Sequence, residues 1–326
     1  MRLHFIMKFY HMPSSPCKSY EPCDIGLYRL EARNTRPPKN LSGGQKFRYS
    51  DFGLTGRLSR KDPMEDQLKQ VARWIVTSKR VIVFSGAGLS TESGIPDFRS
   101  PGGVWDRYNP EDFYFQNFLA SETSREKYWQ MATEMYEPIR TAHPNRAHLA
   151  IAELEKLGKL DCVITQNIDG LHFKAGNSER KVIQLHGTAT FVSCLSCKKR
   201  YDRNEIQERI KKGEKAPRCD DCDGLLKPAT ISFGQSMPEE ETEEAYHRSS
   251  LCDLFIAVGS SLVVQPAATM PVIAKRNGAK LVIINRDPTP YDDMADLVLH
   301  GQAGPILGTI LEHVKQELGA EDEADR

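Results

Sequence analysis

The sequence has no long hydrophobic run and no net charge. None of its 326 residues belongs to an uninterrupted apolar stretch of about 18 or more, the length that a membrane-spanning helix needs. Its 44 Lys and Arg balance 44 Asp and Glu, so overall positive charge does not draw the chain to nucleic acid. Residues 1–12 also lack the apolar core of a secretory signal. We therefore expect a globular protein without membrane association and without direct nucleic acid binding by its core.

Charge is distributed unevenly along the chain. Residues 1–60 hold eleven Lys and Arg against four acids, a net charge of +7, and the remainder holds 33 against 40, a net charge of −7. The first sixty residues lack sustained apolar periodicity and contain turn-rich stretches such as Arg36-Pro37-Pro38-Lys39. This composition predicts a disordered basic extension over 1–60. A short acidic tail follows at 321–326.

Short apolar runs alternate with amphipathic segments of helical length after residue 61. A first helix is predicted to begin at Asp62-Pro63, a cap followed by a proline in the first turn. The apolar runs are 81–84, 162–165, 182–185, 229–233, 254–258, 281–284 and 297–299, and helical segments include 147–157, 267–277 and 305–318. This order predicts an α/β fold, a Rossmann-like parallel sheet with helices on both faces. Its ligands are expected at the carboxyl ends of the strands.

The first of these strand ends is rich in glycine. Gly86 and Gly88 follow the run 81–84, in a turn that could bring backbone N–H groups to a pyrophosphate. The third glycine of the ordinary dinucleotide fingerprint is displaced to Gly94, and no acidic ribose ligand follows about 20 residues later. The pattern therefore favours a dinucleotide that is held in a non-standard way.

Four further strand ends carry polar residues. Asn167 and Asp169 could bond an amide and ribose hydroxyls, although they could also merely shape a turn. His186-Gly187 follows the run 182–185, where a histidine is well placed as a general base. Gly259-Ser260-Ser261 and Asn285-Arg286 complete the set. Each is an ordinary loop alone, but five polar ends on one sheet indicate a binding site.

Two Cys-x-x-Cys pairs indicate a metal site. Cys194, Cys197, Cys219 and Cys222 form pairs that 21 residues separate, a pattern typical of a closed tetrahedral zinc site. Disulfides are the alternative, but the spacing favours one shared ion. We predict one structural Zn²⁺ in a zinc-ribbon module at 191–227, inserted into the sheet domain of 61–190 and 228–320. Reduced thiols favour a cytoplasmic location.

Together these motifs resemble the sirtuin family of NAD-dependent protein deacylases, in its bacterial form. The resemblance covers about 62–318 and is carried by Gly86-Ala87-Gly88, the stretch 93–99, the stretch 165–169, His186-Gly187, the four cysteines, Phe233-Gly234, the stretch 259–262 and Asn285. It implies consumption of NAD to yield nicotinamide, O-acetyl-ADP-ribose and deacetylated lysine. It also implies a helical cofactor-loop segment at about 100–145.

The resemblance also implies roles for individual residues. His186 would be the base. The cofactor residues would be Gly86, Ala87, Gly88, Asp97, Phe98 and Arg99 in the first loop, Gln166, Asn167, Ile168 and Asp169 with Ile95 around nicotinamide and ribose, and Gly259, Ser260, Ser261, Asn285 and Arg286 around phosphate and adenosine. Phe233, Gly234, Val263 and Val264, within 233–236 and 263–265, would pair with an acetyl-lysine peptide as an added strand.

Two features of the sequence depart from patterns found among sirtuins. Gln235 stands where many relatives have Glu after Phe-Gly, which affects peptide preference rather than chemistry. Relatives that remove acidic acyl groups carry a Tyr and an Arg three apart, where Ala132 and Met135 stand here. An apolar acyl pocket is therefore expected, favouring acetyl or longer aliphatic groups.

Three other functions are compatible with parts of the pattern. A mono-ADP-ribosyltransferase would use the same pocket but pass the ribose to a side chain. An oxidoreductase would regenerate its cofactor instead of releasing nicotinamide. A zinc-stabilised NAD sensor would need no base, and the presence of His186 ranks it last.

Overall fold

The computed structural model describes residues 8–9 and 63–324, with the side chains of 63–320. Asp62, the predicted helix cap, and nearly all of the predicted basic extension lie outside the described residues. The first described helix, α1 (Pro63–Thr77), begins at the proline that was expected in its first turn. Two compact units divide the chain, and residues 62–326 with 1–10 form the one treated below.

A parallel six-stranded sheet forms the centre of this unit. Its strands are β2 (Val81–Ser85), β3 (Cys162–Thr165), β4 (Val182–Gln184), β8 (Leu254–Val258), β10 (Lys280–Asn285) and β11 (Leu297–His300). Their spatial order is β11-β10-β8-β2-β3-β4, and every neighbouring pair is parallel. Every residue of β2 and β8 is buried, which explains why these runs are apolar throughout. The predicted α/β class is confirmed.

Helices cover both faces of the sheet. On one face Val71 and Ile75 of α1 pack with Ile151 of α4 (Arg146–Lys156) and Ile310 of α9 (Ala303–Ala324). On the other, Ala245 of α7 (Glu239–Leu251) and Ala274 of α8 (Met270–Arg276) pack against a second set of strand side chains. Among the described residues no helix combines the length and the apolar character that crossing a membrane requires.

The segment after the glycine-rich loop is helical. It contains α2 (Phe115–Ala120) and α3 (Glu122–Thr141), preceded by short turns of 3₁₀ helix. Ser121 caps α3 by accepting a hydrogen bond from the Ser124 N–H. A short helix, α5 (Leu171–Ala175), follows β3.

A small antiparallel sheet contains the cysteine pairs. Its strands are β5 (Gly187–Cys194), β6 (Arg200–Asp202) and β7 (Leu226–Thr230), in the order β6-β5-β7, and α6 (Arg203–Lys211) follows β6. The apolar run 229–233 was predicted as a strand of the parallel sheet, and this is wrong. The strand lies earlier and pairs with β5, with Gly187 opposite Thr230 and Cys194 opposite Leu226, because an apolar run does not itself specify its partner.

A third, two-stranded sheet joins the N-terminal segment to the body. Strand β1 (Lys8–Phe9) pairs antiparallel with β9 (Val264–Gln265). The pairing is possible because the edge of β9 offers unpaired backbone groups to an extended segment.

Candidate active site

The loops after the parallel strands surround one large cavity. Because the strands are parallel, their carboxyl ends lie at one edge of the sheet. The cavity there measures about 840 Å³, within the range of about 300–1,000 Å³ typical of small-molecule sites. It is lined by His186 and every predicted cofactor residue, namely Gly86, Ala87, Gly88, Asp97, Phe98, Arg99, Gln166, Asn167, Ile168, Asp169, Gly259, Ser260, Ser261, Asn285 and Arg286.

Glycines let the loops after β2 and β8 approach each other. A Cβ at Gly86 would lie 2.7 Å from the Gly259 carbonyl oxygen. The Gly86 N–H donates to the Val258 carbonyl (3.0 Å) and the Gly88 N–H to the Gly259 carbonyl (2.8 Å). These two N–H groups therefore bond within the protein, and the glycines serve chiefly to bring the two loops together.

Asp97 organises the turn that follows. Its carboxylate accepts hydrogen bonds from the Ser100 hydroxyl (2.6 Å) and the Ser100 N–H (2.7 Å). Burial opposes ionisation, but the hydrogen bonds from Ser100 and Arg99 and the charge of Arg286 hold the Asp97 pKa below its ordinary value. Arg286, after β10, donates to the same Ser100 hydroxyl at 2.7 Å. The first and last predicted cofactor loops thus meet at Ser100.

Ser90 links the glycine-rich loop to the loop after β3. Its hydroxyl donates to the Asp169 carboxylate (2.7 Å) and accepts from the Asn167 side-chain amide (3.1 Å). Burial raises the pKa of Asp169 above its ordinary value, although the Leu171 N–H and Ser90 oppose this by hydrogen bonding. Sequence reasoning missed Ser90, because a serine in a loop carries no sign that it is buried between two polar side chains.

Gln166 connects the loop after β3 with the loop after β8. Its side-chain amide donates to the Ser260 hydroxyl at 2.8 Å. Arg99 makes a longer contact to the Ser261 hydroxyl, at 3.4 Å. The site is therefore held together by side-chain bonds between loops that are far apart in sequence.

His186 is held in one orientation and one tautomer. Its Nδ1 lies 3.1 Å from the Gln166 carbonyl oxygen, and because a carbonyl only accepts, Nδ1 carries the proton. Nε2 is buried and has no hydrogen-bond partner among the described residues. Burial lowers the pKa of His186 to about 4; the Gln166 carbonyl opposes this shift and the charge of Arg99 adds to it. A neutral imidazole with its lone pair at Nε2 is the form a general base requires.

Three apolar side chains of α3 contribute to the wall of the cavity. Met131, Ala132 and Met135 line it, so the two positions expected at the acyl pocket are in the cavity. Arg203, which sequence reasoning missed, also lines it and is almost fully buried. Its guanidinium carbon lies 4.5 Å from the centre of the Tyr136 ring, and one amino group donates to the Ala132 carbonyl at 3.1 Å. No pattern in the sequence distinguished this arginine from exposed ones.

The predicted peptide-binding residues lie unevenly around the cavity. Phe233 and Val264 line it. The Phe233 carbonyl accepts from the Phe115 N–H (2.8 Å) and the Gly234 carbonyl from the Gln116 side chain (3.0 Å). Gly234 and Val263 are not among the lining residues, so the structure brings only part of this predicted group to the cavity.

The four predicted metal ligands are brought together. The sulfur atoms of Cys194, Cys197, Cys219 and Cys222 all lie within 4.8 Å of one another. The Cys194–Cys222 sulfur distance is 3.5 Å and the Cys197–Cys219 distance 3.6 Å. Tetrahedral zinc with bonds of about 2.3 Å places its sulfur ligands about 3.8 Å apart. The donor set therefore fits such an ion, and none of the described cysteines forms a disulfide. Cys162 and Cys252 lie outside the cluster and are buried in the core.

A parallel sheet with a glycine-rich loop, buried amide and carboxylate groups and a neutral histidine at its carboxyl edge defines a dinucleotide-binding α/β enzyme. The model of the Sir2 family matches residues 86–266. This chain belongs to the Sir2 family.

Related proteins and structures agree with this assignment. "NAD-dependent protein deacetylase 1" of Bradyrhizobium diazoefficiens is 48% identical over 74% of this chain and 94% of its own length. "NAD-dependent protein deacylase 2" of Archaeoglobus fulgidus is 43% identical, over 78% and 98%. A solved structure described as "Sir2-p53 peptide-NAD+" is similar with a TM-score of 0.69 and 38% identity, over 78% of this chain and 99% of that one.

Proposed function

We propose that this protein is an NAD-dependent protein-lysine deacetylase. The observation that carries the proposal is His186, whose Nδ1 is tied to the Gln166 carbonyl and whose Nε2 has no partner among the described residues. A buried nitrogen without a hydrogen-bond partner destabilises the protein. A hydrogen bond from the reacting hydroxyl group to Nε2 would offset that cost. The names of the relatives from Bradyrhizobium and Archaeoglobus support the same activity.

NAD would occupy the cavity at the carboxyl edge of the sheet. Buried Asn167 and Asp169 fit a nicotinamide amide and ribose hydroxyls, because together they offer donors and acceptors. Ser260 and Asn285 would hold the phosphate and adenosine half. The Gln166 side chain donates a hydrogen bond to the Ser260 hydroxyl, which would fix the position of the phosphate half of the site relative to the nicotinamide half.

The reaction transfers the acyl group from lysine to ribose. The bond between nicotinamide and ribose breaks, and the acyl oxygen of the lysine amide bonds to the ribose carbon. Nε2 of His186 accepts the proton of a ribose hydroxyl, which then attacks the acyl carbon. With one water consumed, the products are nicotinamide, O-acetyl-ADP-ribose and free lysine. A base of this kind contributes about 10²–10⁴-fold to the rate.

One zinc ion is proposed for the cysteine cluster, in a structural role. The spacing of the four sulfur atoms supports it, and four thiolates leave no open position for a reacting water. Bound metal would supply folding free energy to the small sheet. Metal analysis of the purified protein tests the proposal, with about one zinc per chain expected.

Acetylated-lysine proteins or peptides are the proposed substrates, and the cytoplasm is the proposed compartment. The apolar side chains Met131, Ala132 and Met135 support an acyl group without charge. The absence of disulfides among the described cysteines supports a reducing compartment.

Mass spectrometry of an acyl-lysine peptide panel incubated with protein and NAD tests the function. We expect loss of the acetyl group with equal amounts of nicotinamide and O-acetyl-ADP-ribose, and slower loss of succinyl than of acetyl. ADP-ribose attached to peptide or protein, with the acyl group retained, would identify the transferase alternative instead. Equal rates on succinyl and acetyl peptides would contradict the proposed acyl preference.

A further inference from the structure

The two-residue strand β9 lies outside the parallel sheet and beside the candidate active site. Val264 lines the cavity, and the Gln265 side chain donates to the Tyr291 hydroxyl at 3.4 Å. In the part of the chain that the structure describes, the strand paired with β9 is β1. Lys8 lies opposite Gln265 and Phe9 opposite Val264, in antiparallel register.

The same strand is expected to receive the substrate. Under the proposed function, an extended acyl-lysine peptide pairs with 233–236 and 263–265. The carbonyls of Phe233 and Gly234 already accept hydrogen bonds from the start of α2, which leaves β9 as the better backbone template. Because one edge of a strand binds one partner at a time, β1 and a peptide on that edge exclude each other.

The sequence around β1 has the composition expected of a peptide that binds as an extended strand. Residues 1–12 contain no proline and no glycine, and Phe5, Ile6, Phe9 and Tyr10 are residue types that favour strands. They carry Arg2 and Lys8 and no acid, whereas the chain after residue 60 has a net charge of −7. Lys8, inside the paired strand, is the one lysine among them.

We propose that the segment around Lys8–Phe9 is an intramolecular ligand of the peptide-binding edge and competes there with substrate. This inference rests on the proposed function, because it assigns the edge at β9 to the substrate peptide. Residues 10–62 connect the segment to α1 in the same chain, so its pairing with β9 is an intramolecular event that needs no second molecule. Even weak strand pairing therefore occupies the edge for part of the time.

The competition has a defined kinetic signature. A peptide must displace β1 before it binds, so the apparent affinity falls by the fraction of molecules whose edge is open. At saturating peptide concentration the peptide displaces β1 from every molecule, so the competition no longer slows the reaction. The segment therefore raises KM for peptide and leaves kcat unchanged.

Proline substitution in the 326-residue chain tests the competition. The double variant Lys8→Pro and Phe9→Pro removes both backbone N–H groups of β1 and cannot pair as a strand. We expect its KM for an unrelated acetyl-lysine peptide to fall about three- to tenfold with kcat unchanged. The matched control, Lys18→Pro with Ser19→Pro, should behave as the unsubstituted protein. Equal KM values in the β1 variant and the unsubstituted protein would overturn the proposal.

Hydrogen–deuterium exchange tests the pairing without any turnover. Successive N–H groups of a strand point to opposite edges, so one of the amides of Val264 and Gln265 faces β1. That amide should exchange faster in the β1 variant than in the unsubstituted protein, and the control should match the unsubstituted protein. Equal exchange in all three would overturn the proposal. Absence of deacetylation on every peptide would refute the proposed function, and the exchange experiment would still decide whether β1 occupies this edge.

Discussion

The parallel sheet and the small sheet that carries the cysteine pairs differ in the size of their buried cores. In the parallel sheet β2 and β8 are buried along their whole length and helices pack on both faces. The buried cluster at the small sheet consists of Trp129 of α3 with Val192, Cys194, Tyr201, Ile206, Cys219 and Leu226, so two of its members are predicted metal ligands. Buried area stabilises the first sheet, and we expect the second, with its small core, to depend on the proposed metal ion.

The two regions nevertheless meet at the proposed base. The Ile231 N–H, just after β7, donates to the His186 carbonyl at 2.9 Å. Gly187, next to His186, is paired with Thr230 of β7. The small sheet therefore forms one wall of the site, and its folding is expected to determine the position of His186.

Loss of the cysteine cluster should have the largest effect. Cys219→Ser removes one of four sulfur ligands, so we expect loss of bound metal, rapid amide exchange in β5–β7 and loss of nearly all activity, while the parallel sheet stays folded. Metal analysis combined with hydrogen–deuterium exchange measures this. Cys252→Ala, a buried cysteine outside the cluster, should keep its metal. Full metal content in Cys219→Ser would contradict the expectation that the small sheet, unlike the parallel sheet, depends on a metal ion held by the four cysteines.

Acid should destabilise the parallel-sheet region through two buried histidines. Burial lowers the pKa of His148 to about 4 and that of His172 to about 3, the charge of His148 adding to the shift in His172. The unfolded state, with pKa values near 6.5, binds more protons below that pH. Stability is therefore fully present above about pH 6.5 and falls toward pH 4, by about 3 kcal/mol per histidine.

The variant His172→Gln measures the contribution of His172 to this acid sensitivity. His172→Gln removes the ionisable ring and keeps a polar group near the Ser85 hydroxyl, which lies 2.9 Å from Nε2. Urea unfolding at pH 7 and pH 5 should show a smaller loss of stability in the variant than in the unsubstituted protein. An equal loss in both would show that His172 does not contribute to the acid sensitivity.

The close approach of the loops after β2 and β8 predicts a moderate effect. Gly86→Ala places a Cβ 2.7 Å from the Gly259 carbonyl oxygen, and backbone cannot move aside without separating the loops. We expect a loss of about 2 kcal/mol in unfolding free energy and weaker NAD binding, measured by urea unfolding and calorimetry. Gly319→Ala, at an open position of α9, should be neutral or slightly stabilising. Unchanged NAD affinity in Gly86→Ala would show that NAD binding does not require the close approach of these two loops.

The smallest effect is expected at Arg203. Burial lowers its pKa to about 10, with the charges of Tyr136 and Tyr128 opposing the shift. No carboxylate contributes to it, so Arg203→Met should change the unfolding free energy by less than about 1 kcal/mol. Because Arg203 lines the cavity and bonds to the Ala132 carbonyl, the variant should accept long aliphatic acyl groups better, as measured on the peptide panel. A loss above about 3 kcal/mol would show that this charge is essential to the small sheet.

Strand ends were predictable from sequence, whereas side-chain partners were not. The apolar runs that end just before Gly86, Asn167 and His186 sufficed to predict one shared edge, because parallel strands have one direction. The same reasoning misplaced the run 229–233, since apolar character is common to both sheets. It also missed Ser90 and Arg203, whose roles depend on burial between segments distant in sequence. The β1–β9 pairing escaped prediction because two paired residues leave no periodic signal.

The rate of His186→Ala on an acetyl-lysine peptide tests the proposed mechanism most directly. His247→Ala, an exposed histidine of α7, is the matched control, and circular dichroism with metal analysis monitors folding. Loss of deacetylation by about 10²–10⁴-fold in His186→Ala, with fold and metal retained and the control unaffected, is the predicted result. A near-native rate in folded His186→Ala would contradict the role of His186 as the base.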